Sequence, residues 1–190
     1  MKRHLLQTLR LLVISALAGA VWVAHRPANL PEVSKTGNGR SDDLTDMLRQ
    51  TAIKRAAVVE ISEAEINRHL TATLAGKIVS TFGGWVNFEG VRIDLEPDTA
   101  RLFLLWRLHG HLRTASVDLA INRNDTNYRV ELLRGAYGHL EMPRGMMRPL
   151  DPALRSVAEV LDPEIRALFQ MTKITIAKDK LVLDPRFPSA

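Results

Sequence analysis

Residues 91–133 read VRIDLEPDTARLFLLWRLHGHLRTASVDLAINRNDTNYRVELL, and their two-residue rhythm decides the fold. Val91, Ile93 and Leu95 alternate with Arg92, Asp94 and Glu96, and Pro97-Asp98 makes a turn. Leu102, Leu104, Trp106 and Leu108 line one face of the next segment, while Phe103 and Leu105 add apolar groups to the other. Ala115, Val117, Leu119 and Ile121 alternate with Ser116, Asp118, Ala120 and Asn122; after the turn Asn124-Asp125-Thr126-Asn127 come Tyr128, Val130 and Leu132. Successive strand side chains point to opposite faces, so this period marks strands. Parallel neighbours need crossovers of a dozen or more residues, and the connections are too short for them. The four segments therefore predict an antiparallel meander.

Helices flank this run. Upstream, Ser62-Glu63-Ala64-Glu65 reads as a capping box, and the helix it starts carries Ile66, Leu70, Leu74 and Ile78 on one face until Phe82-Gly83-Gly84. Val58-Val59-Glu60-Ile61 reads as a short strand before it, and Ser41-Asp42-Asp43 as the start of an earlier helix running to about Arg55. Downstream, Asp151-Pro152 and Asp162-Pro163 each predict an N-cap with proline at the first helical position, giving helices near 152–161 and 163–170. Ile174-Thr175-Ile176 and Leu181-Val182-Leu183 form a closing hairpin around Lys178-Asp179-Lys180. The expected architecture is α+β: an antiparallel meander of five to six strands packed on a capped N-terminal helix and a C-terminal helix pair.

Residues 1–26 are of another kind. Met1-Lys2-Arg3-His4 and Arg10 are basic, Leu11 to Ala24 is an apolar run, and His25-Arg26-Pro27 closes it. This is the layout of a signal anchor or signal peptide. Ala18-Gly19-Ala20 matches a cleavage pattern, but Trp22 sits where an interfacial aromatic belongs and Arg10 can snorkel, which favours a retained anchor with its N-terminus inside. Residues 27–40, with two prolines and two glycines, read as a linker, and 41–190 as an extracytoplasmic domain. The expected location is the cytoplasmic (inner) membrane as a single-pass protein, with the C-terminal domain facing the cell envelope or periplasm.

The pI of about 9.9 and net charge of +5 suggest a nucleic-acid binder until the charges are placed. Lys2, Arg3, Arg10 and Arg26 supply four of the five net charges, so the remainder is nearly neutral and nucleic acid is not an expected partner. The chain has no cysteine, which excludes disulfides, thiolate metal sites and thiol catalysis. No metal or other cofactor is expected.

Candidate chemistry is sparse. His109-Gly110-His111 could bring two imidazoles to one strand face, yet a zinc site needs a third protein ligand and Arg107 opposes a cation, so a polar sheet face is the reading. Asp94, Glu96 and Asp98 read as a solvated strand end rather than an acid–base pair. The chain has no Gly-x-Ser-x-Gly nucleophile elbow, and Gly83-Gly84 and Gly135-x-x-Gly138 lack the setting of a phosphate cradle. Catalysis is not expected. Apolar groups on both faces of the 100–108 strand instead suggest a groove. Phe103 and Leu105 would line it, Met146 and Met147 would form its rim, and Arg144 or Arg148 would lie near a headgroup.

VVEISEAEINRHLTATL (58–74) and Gly138-His139-Leu140-Glu141-Met142-Pro143 carry a family likeness. The first resembles the opening of YpmS-like membrane-anchored bacterial proteins, a short strand followed by a capped Ser-Glu-x-Glu-(Ile/Leu)-Asn-x-x-Leu helix and then a meander. The second is similar to that family's Gly-x-Leu-x-(Leu/Met)-Pro element, and Ile66, Asn67, Leu70, Gly138, Leu140 and Pro143 carry most of the match. The family is similar in architecture to tubular lipid-binding (TULIP-like) domains. The resemblance implies a lipid or lipid-like ligand and no catalysis. The leading expectation is non-catalytic binding of a lipid or other hydrophobic ligand at the outer face of the membrane. The alternative is a structural or assembly module contacting another envelope protein.

Overall fold

The computed structural model describes residues 2–31, 41–55, 57–77, 86–124 and 127–186. Helix α1 (Lys2–His25) is followed by α2 (Ser41–Lys54), strand β1 (Val59–Ser62) and α3 (Glu63–Leu74). The meander is β2 (Val86–Glu96), β3 (Thr99–Leu108), β4 (His111–Asn124), β5 (Asn127–Tyr137) and β6 (Leu140–Met142). A 3-10 helix (Arg144–Leu150) leads into α4 (Asp151–Val160), α5 (Asp162–Phe169) and the hairpin β7 (Lys173–Ala177)–β8 (Lys180–Asp184).

The fold is α+β, as the alternation predicts. Strands β2 to β6 form one antiparallel five-stranded sheet in chain order. A second, three-stranded sheet has the order β1-β8-β7, so β1 pairs across the whole domain with the last strand. Two hydrophobic clusters result. Val91, Leu104, Ala115 and Val117 on one face of the large sheet pack with Leu70 and Leu74 of α3, Val157 of α4, and Met147 and Leu150. Leu48 and Ala52 of α2 and Ala167 of α5 pack with Ile61, Ile176, Leu181 and Leu183 of the small sheet and with Leu95 of β2.

The capping box is present in full: the Ser62 hydroxyl accepts from the Glu65 amide, and the Glu65 carboxylate accepts from the Ser62 amide at 2.9 Å. The same motif also closes the open edge of β2. Glu63 Oε2 accepts the Leu95 amide at 2.8 Å. Fully buried Asn67 donates to the Ile93 carbonyl and accepts from the Ile93 amide, both at 2.7 Å, and so stands in for a missing strand. An edge strand's unpaired amides invite pairing with other chains, and α3 removes that invitation here. At the far end of β2, the Asp98 amide donates to the Ile176 carbonyl and the Asp179 amide to the Leu95 carbonyl, which joins the two sheets.

Three local expectations need correction. Asp151 and Asp162 are not N-caps: Leu150 and Leu161 occupy those positions without side-chain bonds, and the aspartates sit inside the first turn, Asp162 bonding Arg166 at 2.6 Å. His109 lies in the β3–β4 turn rather than in a strand, with φ of 49° and Gly110 at 79°. Positive φ at both central residues fits a two-residue hairpin and removes the shared strand face that a His109–His111 pair would need. The predicted 163-onward helix starts within one residue of its expected place. Ile78, Phe82-Gly83-Gly84, the turn residues Asp125 and Thr126, and the side chains of Ser41, Asp42 and Asp43 lie outside the described residues.

Candidate functional site

The site follows from strand register. Leu105 lies between Gly90 of β2 and Thr114 of β4, Phe103 between Arg92 and Ser116, and Arg101 between Asp94 and Asp118. These rows share the face opposite Leu104 and Trp106. Phe103 is 3% and Leu105 6% exposed, yet neither belongs to either hydrophobic cluster.

Their cover is the chain that leaves α1. The Ala28 amide donates to Thr114 Oγ1 at 2.9 Å, and Arg92 Nη1 donates to the Pro31 carbonyl at 2.9 Å. Going from β4 to β2 means crossing two interstrand gaps, about 10 Å, a distance that three extended residues span. Residues 28–31 are therefore a strap laid across β3, over the rows that hold Leu105 and Phe103. Just upstream, the His139 amide donates to the Val23 carbonyl at 3.4 Å and Arg113 Nη1 to the His25 carbonyl at 2.7 Å. Gly138, at φ +57°, faces the carbonyl oxygens of Arg26 and Ala24 so closely that a Cβ there would collide with both. Arg26 stacks over the Trp22 ring at 3.6 Å. Of the stretch read as a linker, residues 27–31 are thus docked; 32–40 lie outside the described residues.

Beside the strap the face is polar. A pocket of about 270 Å³ is lined by Asn29, Phe103, Ser116, Arg134, His139 and Glu141, with Arg101 and Asp118 among its further walls. The Asp118 side chain is 7% exposed and accepts from Arg101 Nε at 2.7 Å and from Arg134 Nη2 at 3.1 Å. That hydrogen bond to Asp118 holds the Arg101 guanidinium above its ordinary pKa, against the opposing effect of partial burial. A wider groove of about 640 Å³ lies between α2 and β1, lined by Met47, Thr51, Ala57 and Val59. Ile53, 74% exposed, lies on α2, and exposed Val58 immediately precedes β1.

The predicted site residues separate. Phe103 and Leu105 share the strap-covered face. Met147 is 2% exposed in the main cluster and fills the space that Gly135 leaves by having no Cβ, so it belongs to the core and not to a rim. Gly135 pairs with Val117, which places it on the opposite sheet face from Phe103. Met146 is 59% exposed and Arg148 is exposed. The side chain of Arg144 lies outside the described residues. Among the described residues no group of three or more His, Asp or Glu is placed to hold a metal.

Sequence reasoning missed the strap, the Asp118 cluster and a buried pair, His69–Glu164. His69 Nε2 lies 3.1 Å from Glu164 Oε1, which also accepts from the Thr45 hydroxyl at 2.6 Å. The pair ties α2, α3 and α5 together, and it lines neither pocket. Burial pushes the Glu164 carboxyl up, but the bonds from Thr45 and His69, with a backbone bond, outweigh it and leave its pKa lowered. No protein-family model matches the chain, and no curated protein matches it in sequence.

Proposed function

We propose that this protein is a single-pass membrane protein whose extracytoplasmic domain is held in a fixed attitude at the bilayer and acts as a non-catalytic assembly module in the cell envelope. One observation carries the reading: the strap. Helix α1 contains a 20-residue stretch, Leu6–His25, long and apolar enough to cross a membrane, and none of its most apolar window is buried against the domain. Within six residues of its end the chain is bonded to β2 and β4. Such a joint suits a part that presents a surface to a partner. The surface we assign is the α2–β1 groove with the exposed Ile53 and Val58, each next in sequence to a lining residue; β1 is a terminal strand of its sheet. An extended segment of an envelope protein would add to that edge, its backbone pairing with β1 and its apolar side chains on Ile53.

A photo-crosslinking residue at Ile53 in cells should give a discrete protein adduct that Val58→Asp abolishes. The same probe at Val130, exposed on the other sheet, should give none. Lipid adducts at both positions, or no difference between them, would overturn the reading. An alkaline phosphatase fusion after Ala190 should be active; an inactive one would reverse the proposed topology.

The burial of Phe103 and Leu105 outside both clusters supports a second reading, the hydrophobic ligand. It requires that the strap leave the sheet so that an acyl chain can take its place. Leu105→Asp would then remove lipid that co-purifies with the wild type. Purified wild-type protein free of lipid would dispose of this reading.

A further inference from the structure

We propose that the pocket beside the strap binds a small zwitterion, taking an anionic oxyacid group at Arg101 and Arg134 and an ammonium group at Glu141. The charges set the ligand class. Two guanidiniums and two carboxylates line one pocket of about 270 Å³. A bare anion meets Asp118 and Glu141; a bare cation meets the arginines. A molecule that carries both charges meets each with its opposite.

The charges are also separated in the right way. Asp118 already accepts from both arginines, through Nε and Nη2 of each. A guanidinium has five N–H donors in a planar fork, so donors remain on both side chains, which line the pocket and are partly exposed. Glu141 stands apart. It lies on β6 opposite Ala136, two residues along β5 from Arg134, and is exposed. Among the described residues it joins no ion pair. Diagonal neighbours on adjacent strands are about 7–8 Å apart, a gap that a two-carbon spacer between ammonium and oxyanion bridges with its hydrogen bonds. Ser116 and Phe103 also line the pocket, a hydroxyl for the oxyanion and an apolar ring edge beside the spacer.

Location suggests the compound. Asn29, in the pocket wall, follows the end of α1 by four residues. If α1 spans the bilayer, the pocket opens at headgroup level, and the zwitterion within reach is phosphoethanolamine, either as a phospholipid headgroup or as the free molecule.

Full-length protein in detergent micelles, titrated calorimetrically with O-phosphoethanolamine, should bind it at least about tenfold more tightly than inorganic phosphate or ethanolamine alone, the worth of one charged hydrogen bond. Glu141→Gln, at an exposed site, should erase that advantage while phosphate, relieved of one repelling carboxylate, binds at least as tightly as before. Arg134→Gln should weaken both. Equal affinity for phosphate and phosphoethanolamine, an unaltered Glu141→Gln variant, or no binding would each overturn the proposal. Mass spectrometry of lipid retained by the purified chain separates the sources. Ethanolamine phospholipid lost on Glu141→Gln assigns a headgroup; phosphoethanolamine binding with no retained lipid assigns a free zwitterion.

Discussion

Gly138→Ala should free the strap while leaving the domain folded. Gly138 has φ +57° in the β5–β6 turn, and Gly110 has φ +79° in the β3–β4 turn. An L side chain in this region costs about 1–2 kcal/mol in either place. The two sites differ in what a Cβ meets: nothing within 4 Å at Gly110, but the Arg26 and Ala24 carbonyl oxygens at Gly138. Relieving that collision moves the backbone at residues 24–26, and two bonds go with it. One is the charged bond from Arg113 to the His25 carbonyl and the other the Ala28–Thr114 bond. Their net worth is about 2–4 kcal/mol. Hydrogen exchange of the Ala28 amide reads the strap's own opening, separate from global unfolding. A loss of about 2 kcal/mol speeds that exchange about 30-fold, since 1.4 kcal/mol is tenfold. Gly110→Ala, which pays the same conformational cost with no collision, should leave Ala28 exchange unchanged. If the two variants exchange Ala28 at the same rate, the strap is not seated as argued.

Other outcomes can be stated briefly. Asn67→Leu keeps the bulk but orphans the Ile93 amide and carbonyl, so it should cost about 2–5 kcal/mol, read as a fall in denaturation midpoint. Met147→Ala should cost about 2–5 kcal/mol and Met146→Ala no more than about 0.5 kcal/mol; comparable losses would refute the core placement of Met147. Glu164 has a folded pKa below its ordinary 4.5, so its contribution is present above that value and is lost as pH falls through the lower folded value. Glu164→Gln should therefore flatten the acid limb of a stability–pH profile below about pH 4.5, and an unchanged limb would show that the carboxylate is not held as described.

The meander was legible because within each strand every second residue faces the core, and local alternation suffices to show it. The capping box was legible for a similar reason, since its partners lie three residues apart. What α3 does with Asn67 and Glu63 was not. Their partners, Ile93 and Leu95, are 26 and 32 residues away and offer backbone groups, which have no residue type to betray them. The strap escaped likewise. Proline and glycine mark 27–40 as irregular, but irregular chain docks well wherever a face supplies bonds, and here Thr114 and Arg92 supply them 86 and 61 residues away. Met147 escaped because its seat is an absence, the missing side chain of Gly135. In the candidate site, Phe103 and Leu105 could be read from the apolar excess on their strand. Asp118 and its arginines looked like ordinary polar positions on a wet face.

If α1 spans a bilayer as proposed, the joint at residues 26–31 gives the domain the mechanics of a lever. The apolar stretch Leu6–His25 has 20 residues, about 30 Å of helix at 1.5 Å per residue, which equals the thickness of a hydrocarbon core. In a bilayer about 3 Å thinner, a helix of that length leans by about 25° to keep its apolar length covered. A slack linker would absorb the lean. A bonded strap passes it on, and β4 alone has 14 residues, about 46 Å at 3.3 Å each. Its far end would swing by nearly 20 Å, on the order of the width of two packed helices. Bilayer thickness would thereby set where the small sheet and its groove are carried, a gauge built from one helix and six residues.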